Sequence, residues 1–247
     1  MLIQKHGRDF FVADIEYNTN FYSSLTKKQS IIKTILSRKI QKLVHFTDIR
    51  NLESILTNGL LTRENLNKKG ITSSVTDIER YDKRLDCTSL SVEYPNYQMM
   101  SYKKNGMITR SFCILVFDAQ KILLNDSKKY FVYINAANKN ASWWLGKEEL
   151  SESKYFSNMF KENIEYKGKL YTRENIKEPY LPTNPQAEIL LNGDILASDI
   201  QEIHFETNNN FNIFKTSLKE SSMLSKFKFV ISDFYFKDRE DVEWVER

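Results

Sequence analysis

The stretch Pro185-Gln186-Ala187-Glu188-Ile189-Leu190-Leu191 decides how the chain is read. Ile189, Leu190 and Leu191 form a short apolar run bounded upstream by Pro182 and Pro185, and such a run reads as a buried strand. An acid at its head is unusual, because a strand entering a core seldom begins with an unpaired charge. Glu188 is therefore either an ordinary strand-end side chain facing solvent or a carboxylate held in a cleft. Gln186 stands two positions earlier. On a strand, positions i and i+2 share a face, so both side chains are expected to reach the same place.

Outward from this stretch, the pattern alternates between elements. Leu43–Phe46, Thr88–Val92, Phe112–Phe117, Tyr130–Ile134 and Glu202–Phe205 read as strands, and Phe227–Phe236 as one or two more. Ile31, Ile32, Ile35, Leu36 and Ile40 fall at helical spacing within residues 27–41. A second helix carries Ile49, Leu52, Ile55 and Leu56, with Asp48 able to cap its start and Gly59 placed to end it. Ser151–Asn163 and Phe211–Leu218 also read as helical. Residues 64–85 read as irregular, apart from a short helix near Asp77–Lys83. Residues 165–184 read as a long polar loop, which in a compact domain is either functional or disordered. Segregated strands and helices of this kind predict an α+β fold: one domain over 42–247, preceded by an extension over 1–41.

With 247 residues, 41% of them hydrophobic, the chain can bury a substantial core. Its net charge of +4 permits a polyanionic partner without requiring one. The distribution is more telling. Lys27, Lys28, Lys33, Arg38, Lys39 and Lys42 occur in one stretch without an acid, and Lys103, Lys104 and Arg110 form a second basic cluster. A Lys-rich run is as readily a solvated helix face as a nucleic-acid contact. Cys87 and Cys113 fit no metal-ligand spacing, so no metal is expected. The amino terminus lacks the apolar core of a signal peptide, and no apolar run approaches the roughly 18 residues of a membrane span. A cytoplasmic protein with no membrane association is expected.

Three segments together carry a likeness. Val44-His45-Phe46-Thr47 leads into Asn51-Leu52-Glu53-Ser54-Ile55-Leu56 and Gly59-Leu60. Arg84-Leu85-Asp86 is followed by Ser91 and Tyr94-Pro95-Asn96-Tyr97-Gln98-Met99-Met100. The third is Pro182-Thr183-Asn184-Pro185-Gln186-Ala187-Glu188-Ile189-Leu190, and Asn135-Ala136-Ala137 adds to it. In this order the chain resembles, from about Lys42 onward, the DarT family of DNA ADP-ribosyltransferases, the toxin halves of bacterial toxin–antitoxin pairs. The resemblance implies two packed, mostly antiparallel sheets with flanking helices, and NAD⁺ in the cleft between them. It implies Glu188 as the catalytic carboxylate, with His45 and Thr47 on an NAD ribose, and Asn51, Gly59 and Met99 lining the NAD site. Tyr97 would stack on nicotinamide. Arg84, with Arg80 as a rival, would hold the pyrophosphate or assist at the acceptor base; a guanidinium is a poor general base, so positioning is the expected role. Gln186 would contact the acceptor. Lys167, Lys169, Arg173 and Lys177 would meet phosphates, and Tyr166, Tyr171 and Tyr180 would stack on unpaired bases of single-stranded DNA. A macrodomain antitoxin is the implied partner. The Pro-Asn-Tyr-Gln-Met-Met and Asn-Pro-Gln-Ala-Glu versions resemble the branch associated with guanine rather than thymine. Acceptors of RNA or protein, and a catalytically silent nucleic-acid-binding module, are the competing readings.

Overall fold

The computed structural model describes residues 25–74, 82–104, 110–139, 141, 149–151, 153–219 and 221–246. The helix expected near Asp77–Lys83 falls for the most part outside them. A seven-stranded sheet is built from β1 (Lys42–Asp48), β2 (Cys87–Val92), β3 (Phe112–Asp118), β4 (Lys129–Val132), β7 (Glu188–Asn192), β8 (Ile200–Phe205) and β9 (Phe229–Ile231). Their order is β4-β7-β2-β1-β3-β8-β9. A smaller sheet of order β10-β6-β5 contains β5 (Asn163–Tyr166), β6 (Lys169–Thr172) and β10 (Glu243–Glu246). Among the described residues every strand pairing is antiparallel except β8 with β9.

The central strand is β3. Phe112 to Phe117 are all 2% exposed or less, because both faces of the strand are covered. Cys113, Leu115 and Phe117 enter the main core, while Phe112, Ile114 and Val116 pack with Val44, Tyr235 and Phe236 on the other side. β1 follows β3 along its full length, from Lys42↔Asp118 to Asp48↔Phe112. Its pairing with β2 is recorded only at Leu43↔Val92 and Val44↔Ser91. Beyond Val44 the two strands part, and the large sheet opens into two halves, β1-β3-β8-β9 and β2-β7-β4. This split creates the cleft described below.

Helix α1 (25–38) packs into the domain rather than standing apart from it. Ile31, Ile35 and Ile40 belong to the same buried cluster as the sheet residues. Arg38 donates to the Phe160 carbonyl at 3.3 Å and lies over the Phe160 ring. The core thus continues across the expected boundary at residue 41.

Helix α2 (Leu52–Asn58) is approached through a short 3-10 turn capped by Asp48, as expected, and ends at Gly59. Gly59 has φ of 87°, and a Cβ there would sit 2.6 Å from the Ile195 carbonyl oxygen. Both facts require glycine. Gly59→Ala is expected to lower stability by at least about 2 kcal/mol, read as a fall in the urea midpoint; an unchanged midpoint would contradict this packing.

Three expectations need correction. Residues 64–85 are not wholly irregular: α3 (Arg63–Lys68) forms there because the Thr62 hydroxyl accepts from the Asn65 amide, capping a single short run. Helix α4 (Tyr97–Lys104) was not anticipated. The Asn96 side chain starts it by accepting from the Met99 amide at 3.1 Å. Ser151–Asn163 is not one helix; only α6 (Lys154–Asn158) is α-helical, and the chain then turns into β5. Further helices among the described residues are α5 (Ala119–Leu123) and α7 (Asn208–Ser217). The largest difference is at 165–184, where a β5–β6 hairpin stands in place of the start of a loop. Ile164 and Tyr166 point inward, while Asn163 and Glu165 point out. The period-two pattern is there, but the charged outer residues conceal it. Lys167 and Gly168 close the hairpin with φ of 51° and 71°, the positive pair that a two-residue primed turn needs.

Candidate active site

Glu188 heads β7, opposite Val132 of β4, and is 7% exposed. Its carboxylate is held from two directions. The Ser89 hydroxyl donates to Oε2 at 2.9 Å, and the Asn96 amide nitrogen donates to Oε1 at 3.5 Å. Ser89 comes from β2, the strand beside β7, and Asn96 from the start of α4. Across the opening of the sheet stands His45 of β1. Its Nδ1 lies 2.7 Å from the Ser89 carbonyl oxygen. A carbonyl only accepts, so the proton of that contact sits on Nδ1, and in the neutral ring Nε2 is the acceptor. One residue, Ser89, therefore fixes the carboxylate through its side chain and the imidazole tautomer through its backbone.

The next residues of β1 shape the neighbouring wall. Asn51 donates to the Thr47 hydroxyl at 3.2 Å and to the Ser74 carbonyl at 3.1 Å, while its oxygen accepts from the Ser74 amide at 2.6 Å. Asp48 is 1% exposed and accepts from the Arg50 side chain and from the Ser74 hydroxyl. Burial alone would raise the Asp48 pKa; the bonds from Arg50 and Ser74 outweigh it and hold the carboxylate below its usual range. Ser74 is thus fastened along one side of a cleft that Ser73, His45, Thr47, Asn51, Gly59, Met99 and Glu188 also line. The cleft encloses about 1270 Å³, counting the space open to solvent. Cys87 also lines it, with a thiol pushed up to about 11 by burial, so it is no thiolate nucleophile near neutrality.

A family model described as "ssDNA thymidine ADP-ribosyltransferase, DarT" matches residues 44–236. The chain belongs to the DarT family. A comparison with curated proteins returns no match. Among solved structures, a Thermus sp. 2.9 DarT in complex with ADP-ribosylated ssDNA is similar at a TM-score of 0.51 and 15% identity, over 81% of this chain and 97% of that one. The same protein in complex with NAD⁺ gives 0.46 and 15%, over 79% and 97%. A Thermosipho africanus DarTG in complex with ADP-ribose gives 0.47 and 12%, over 79% and 51%, so the chain spans about half the length of that relative. At such identities the likeness concerns the fold.

Within this DarT fold, several residues singled out by sequence stand elsewhere. Arg84 does not line the cleft. Its guanidinium lies 4.3 Å over the Tyr130 ring and donates to Asp86 at 3.1 Å and to the Tyr130 hydroxyl. Burial works against its charge, but Cys87, Tyr130 and Asp86 together hold its pKa above the usual value, which removes it further from general-base chemistry. Arg80 lies outside the described residues. Tyr97 lines a separate small cavity with Met100, Phe112 and Phe236. Gln186 lies in a turn before β7, so the shared strand face does not apply to it. It reaches the cleft rim indirectly, donating to Gln98 at 2.7 Å and accepting at 3.3 Å from Asn135, which does line the cleft.

The hairpin residues divide by face. Tyr166 and Tyr171 are 5% and 2% exposed and pack in a core cluster with Ile164 and Leu190. They are too buried to stack on a base. Their phenols have raised pKa values, through burial first and then through Glu188 beside Tyr166 and through Tyr166 beside Tyr171. Lys167 is exposed at the turn with its ammonium over the Tyr166 ring, and Lys169 is half-buried on β6. Arg173 is buried and donates to the carbonyls of Leu181 and Pro179 and to the Thr183 hydroxyl; it holds the chain leading to Glu188 rather than a phosphate. Ser89, Asn96 and Asn135 were not assigned roles from sequence. Asn96 and Asn135 lay inside the quoted motifs, yet only the fold shows what they touch.

Among the described residues, no helix is long and apolar enough to cross a membrane, and no group of three metal-ligating side chains occurs.

Proposed function

We propose that this chain transfers ADP-ribose from NAD⁺ to a base of single-stranded DNA, releasing nicotinamide, with Glu188 as its catalytic residue. The observation that carries this reading is a buried carboxylate, held by Ser89 and Asn96, facing His45 across the opening of the sheet. When the bond between nicotinamide and ribose breaks, its electron pair leaves with nicotinamide and positive charge grows on the ribose. A carboxylate hydrogen-bonded to the ribose 2′-hydroxyl becomes more favourable as that charge grows. This is stabilisation specific to the transition state, as in glycoside hydrolysis. Ser89 and Asn96 stop the carboxylate from turning away. His45 Nε2, left as an acceptor by the bond from Nδ1, takes a ribose hydroxyl, and Thr47 assists. Asn51 and Asp48 secure the wall at Ser74 that the dinucleotide lies against. The acceptor base then bonds the ribose carbon that nicotinamide has left and releases its N–H proton to water. Such chemistry needs an unpaired or flipped base. The fold of the Thermus protein solved with ADP-ribosylated ssDNA accords with it.

Two finer statements extend the reading. The acceptor is guanine, by the Pro95–Met100 and Asn184–Glu188 sequences, although the family description names thymidine. A macrodomain antitoxin that removes ADP-ribose from DNA is the partner. The test is mass spectrometry of single-stranded oligonucleotides, one set lacking guanine and one lacking thymine, after incubation with the enzyme and NAD⁺. An adduct confined to guanine-containing strands supports the reading. An adduct confined to thymine-containing strands would replace guanine by thymine, and nicotinamide release without any DNA adduct would reject DNA as acceptor.

The two donors to Glu188 make a further expectation. Ser89→Ala and Asn96→Ala should each lower kcat about tenfold or more while changing the KM for NAD⁺ little, since each acts on the orientation of a carboxylate that matters most in the transition state. A rise in KM with kcat intact would instead make them ground-state NAD⁺ contacts.

A further inference from the structure

Of the three tyrosines expected to stack on DNA, Tyr166 and Tyr171 are buried and Tyr180 is half-buried against the core, so a fully displayed ring has to be found on another surface. Helix α4 supplies one. Met99 and Lys103 occupy one row of the helix, four positions apart, and both line the cleft. Gln98 and Tyr102 form the adjacent row, and both are exposed. Gln98 is bonded to Gln186, at the end of the segment that delivers Glu188. Tyr102, one turn further on, is 81% exposed, the highest value among the exposed large apolar side chains of the described residues. Phe234 is also exposed, but its ring is packed against Tyr94 and Tyr235.

We propose that Tyr102 is a stacking platform for an unpaired base next to the modified nucleotide, with Lys103 beside it for the intervening phosphate. This rests on the reading of single-stranded DNA as acceptor. An amphipathic ring displayed beside the row that lines the cleft offers a base its flat face. Stacking of this kind tolerates any base, because every base has a π-face. The Lys103 ammonium lies over the Phe46 ring at 5.8 Å, and both residues line the cleft. The hydrogen-bonded line from Gln186 to Gln98 leads from the cleft rim to the platform.

The test measures the KM for a mixed-sequence single-stranded oligonucleotide and the KM for NAD⁺ in the same variants. Tyr102→Ala is expected to raise the KM for DNA about tenfold, the loss of one base–aromatic stack, with the KM for NAD⁺ within about twofold. Tyr102→Phe and Tyr102→Trp keep a ring and should stay near wild type. A Tyr102→Ala enzyme with a wild-type KM for DNA overturns the platform, and so does a Tyr102→Phe enzyme as impaired as the alanine variant, which would assign the effect to the hydroxyl. A parallel rise in both KM values also overturns it, pointing to a disturbed cleft. Wild-type enzyme that leaves the oligonucleotide unmodified would reject the acceptor itself, and the platform with it, whereas a modified oligonucleotide with no effect at Tyr102 rejects the platform alone.

Discussion

Glu188→Gln is expected to reduce ADP-ribose transfer on the order of 10³-fold, close to the loss seen when one preorganised electrostatic contact to a transition state is removed. The substitution conserves shape. Ser89 still has an oxygen to donate to, and a neutral amide is easier to bury than a carboxylate, so the fold should persist. What disappears is the negative charge beside a ribose that becomes positive. NAD⁺ carries far less of that charge in its ground state, so its dissociation constant should stay within a few-fold of wild type. Single-turnover transfer to an oligonucleotide, paired with NAD⁺ titration, separates the two quantities. A variant keeping more than about a tenth of the transfer rate would remove Glu188 from the chemistry, because a bystander carboxylate supplies less than about 1.4 kcal/mol of transition-state stabilisation.

Arg173→Ala should act on stability. The buried guanidinium donates to the Leu181 and Pro179 carbonyls and the Thr183 hydroxyl, and Arg239 donates to the next carbonyl, Pro182. Truncation leaves buried acceptors without a donor, at an expected cost of about 3 kcal/mol. Lysine cannot restore the pattern, because a point-like ammonium does not reproduce the planar fork. The contrast with a phosphate contact is measurable. A phosphate-binding arginine would leave the melting temperature unchanged and lower the salt slope of DNA binding by about one. Here the melting temperature should fall and the salt slope should hold. The reverse result would return Arg173 to the DNA surface.

Much of the large sheet was legible because its strands bury apolar residues on both faces. Phe112–Phe117 could be read as a strand on that ground alone. Glu188 stood out for the complementary reason, as a charge where the pattern called for none. The hairpin at 163–172 was hidden because Asn163 and Glu165 face outward and Lys167 and Lys169 add further charge, so its alternation passed for a polar loop. Helix α4 begins at Asn96, a residue type that commonly caps helices, but the residues after it carry no clear apolar stripe, with Met100 alone buried. Arg84 shows a different limit. Its residue type suited a pyrophosphate contact, but whether its side chain reaches the cleft or lies on Tyr130 depends on neighbours 46 positions away. Ser89 was unreadable for the same reason, since its two partners come from different strands.

Those separations bear on when the protein can act during its own synthesis. The bond from Ser89 to Glu188 spans 99 positions and that from His45 to Ser89 spans 44. β7 must also slot between β2 and β4, both made earlier, before the carboxylate meets its donors. Pairings between distant segments form slowly compared with local ones. A nascent chain that has emerged only as far as β6 carries the imidazole but no Glu188. On the proposed role of Glu188, such a chain lacks the carboxylate needed to cleave NAD⁺, and the site is completed only after translation has passed β7 and that strand has docked.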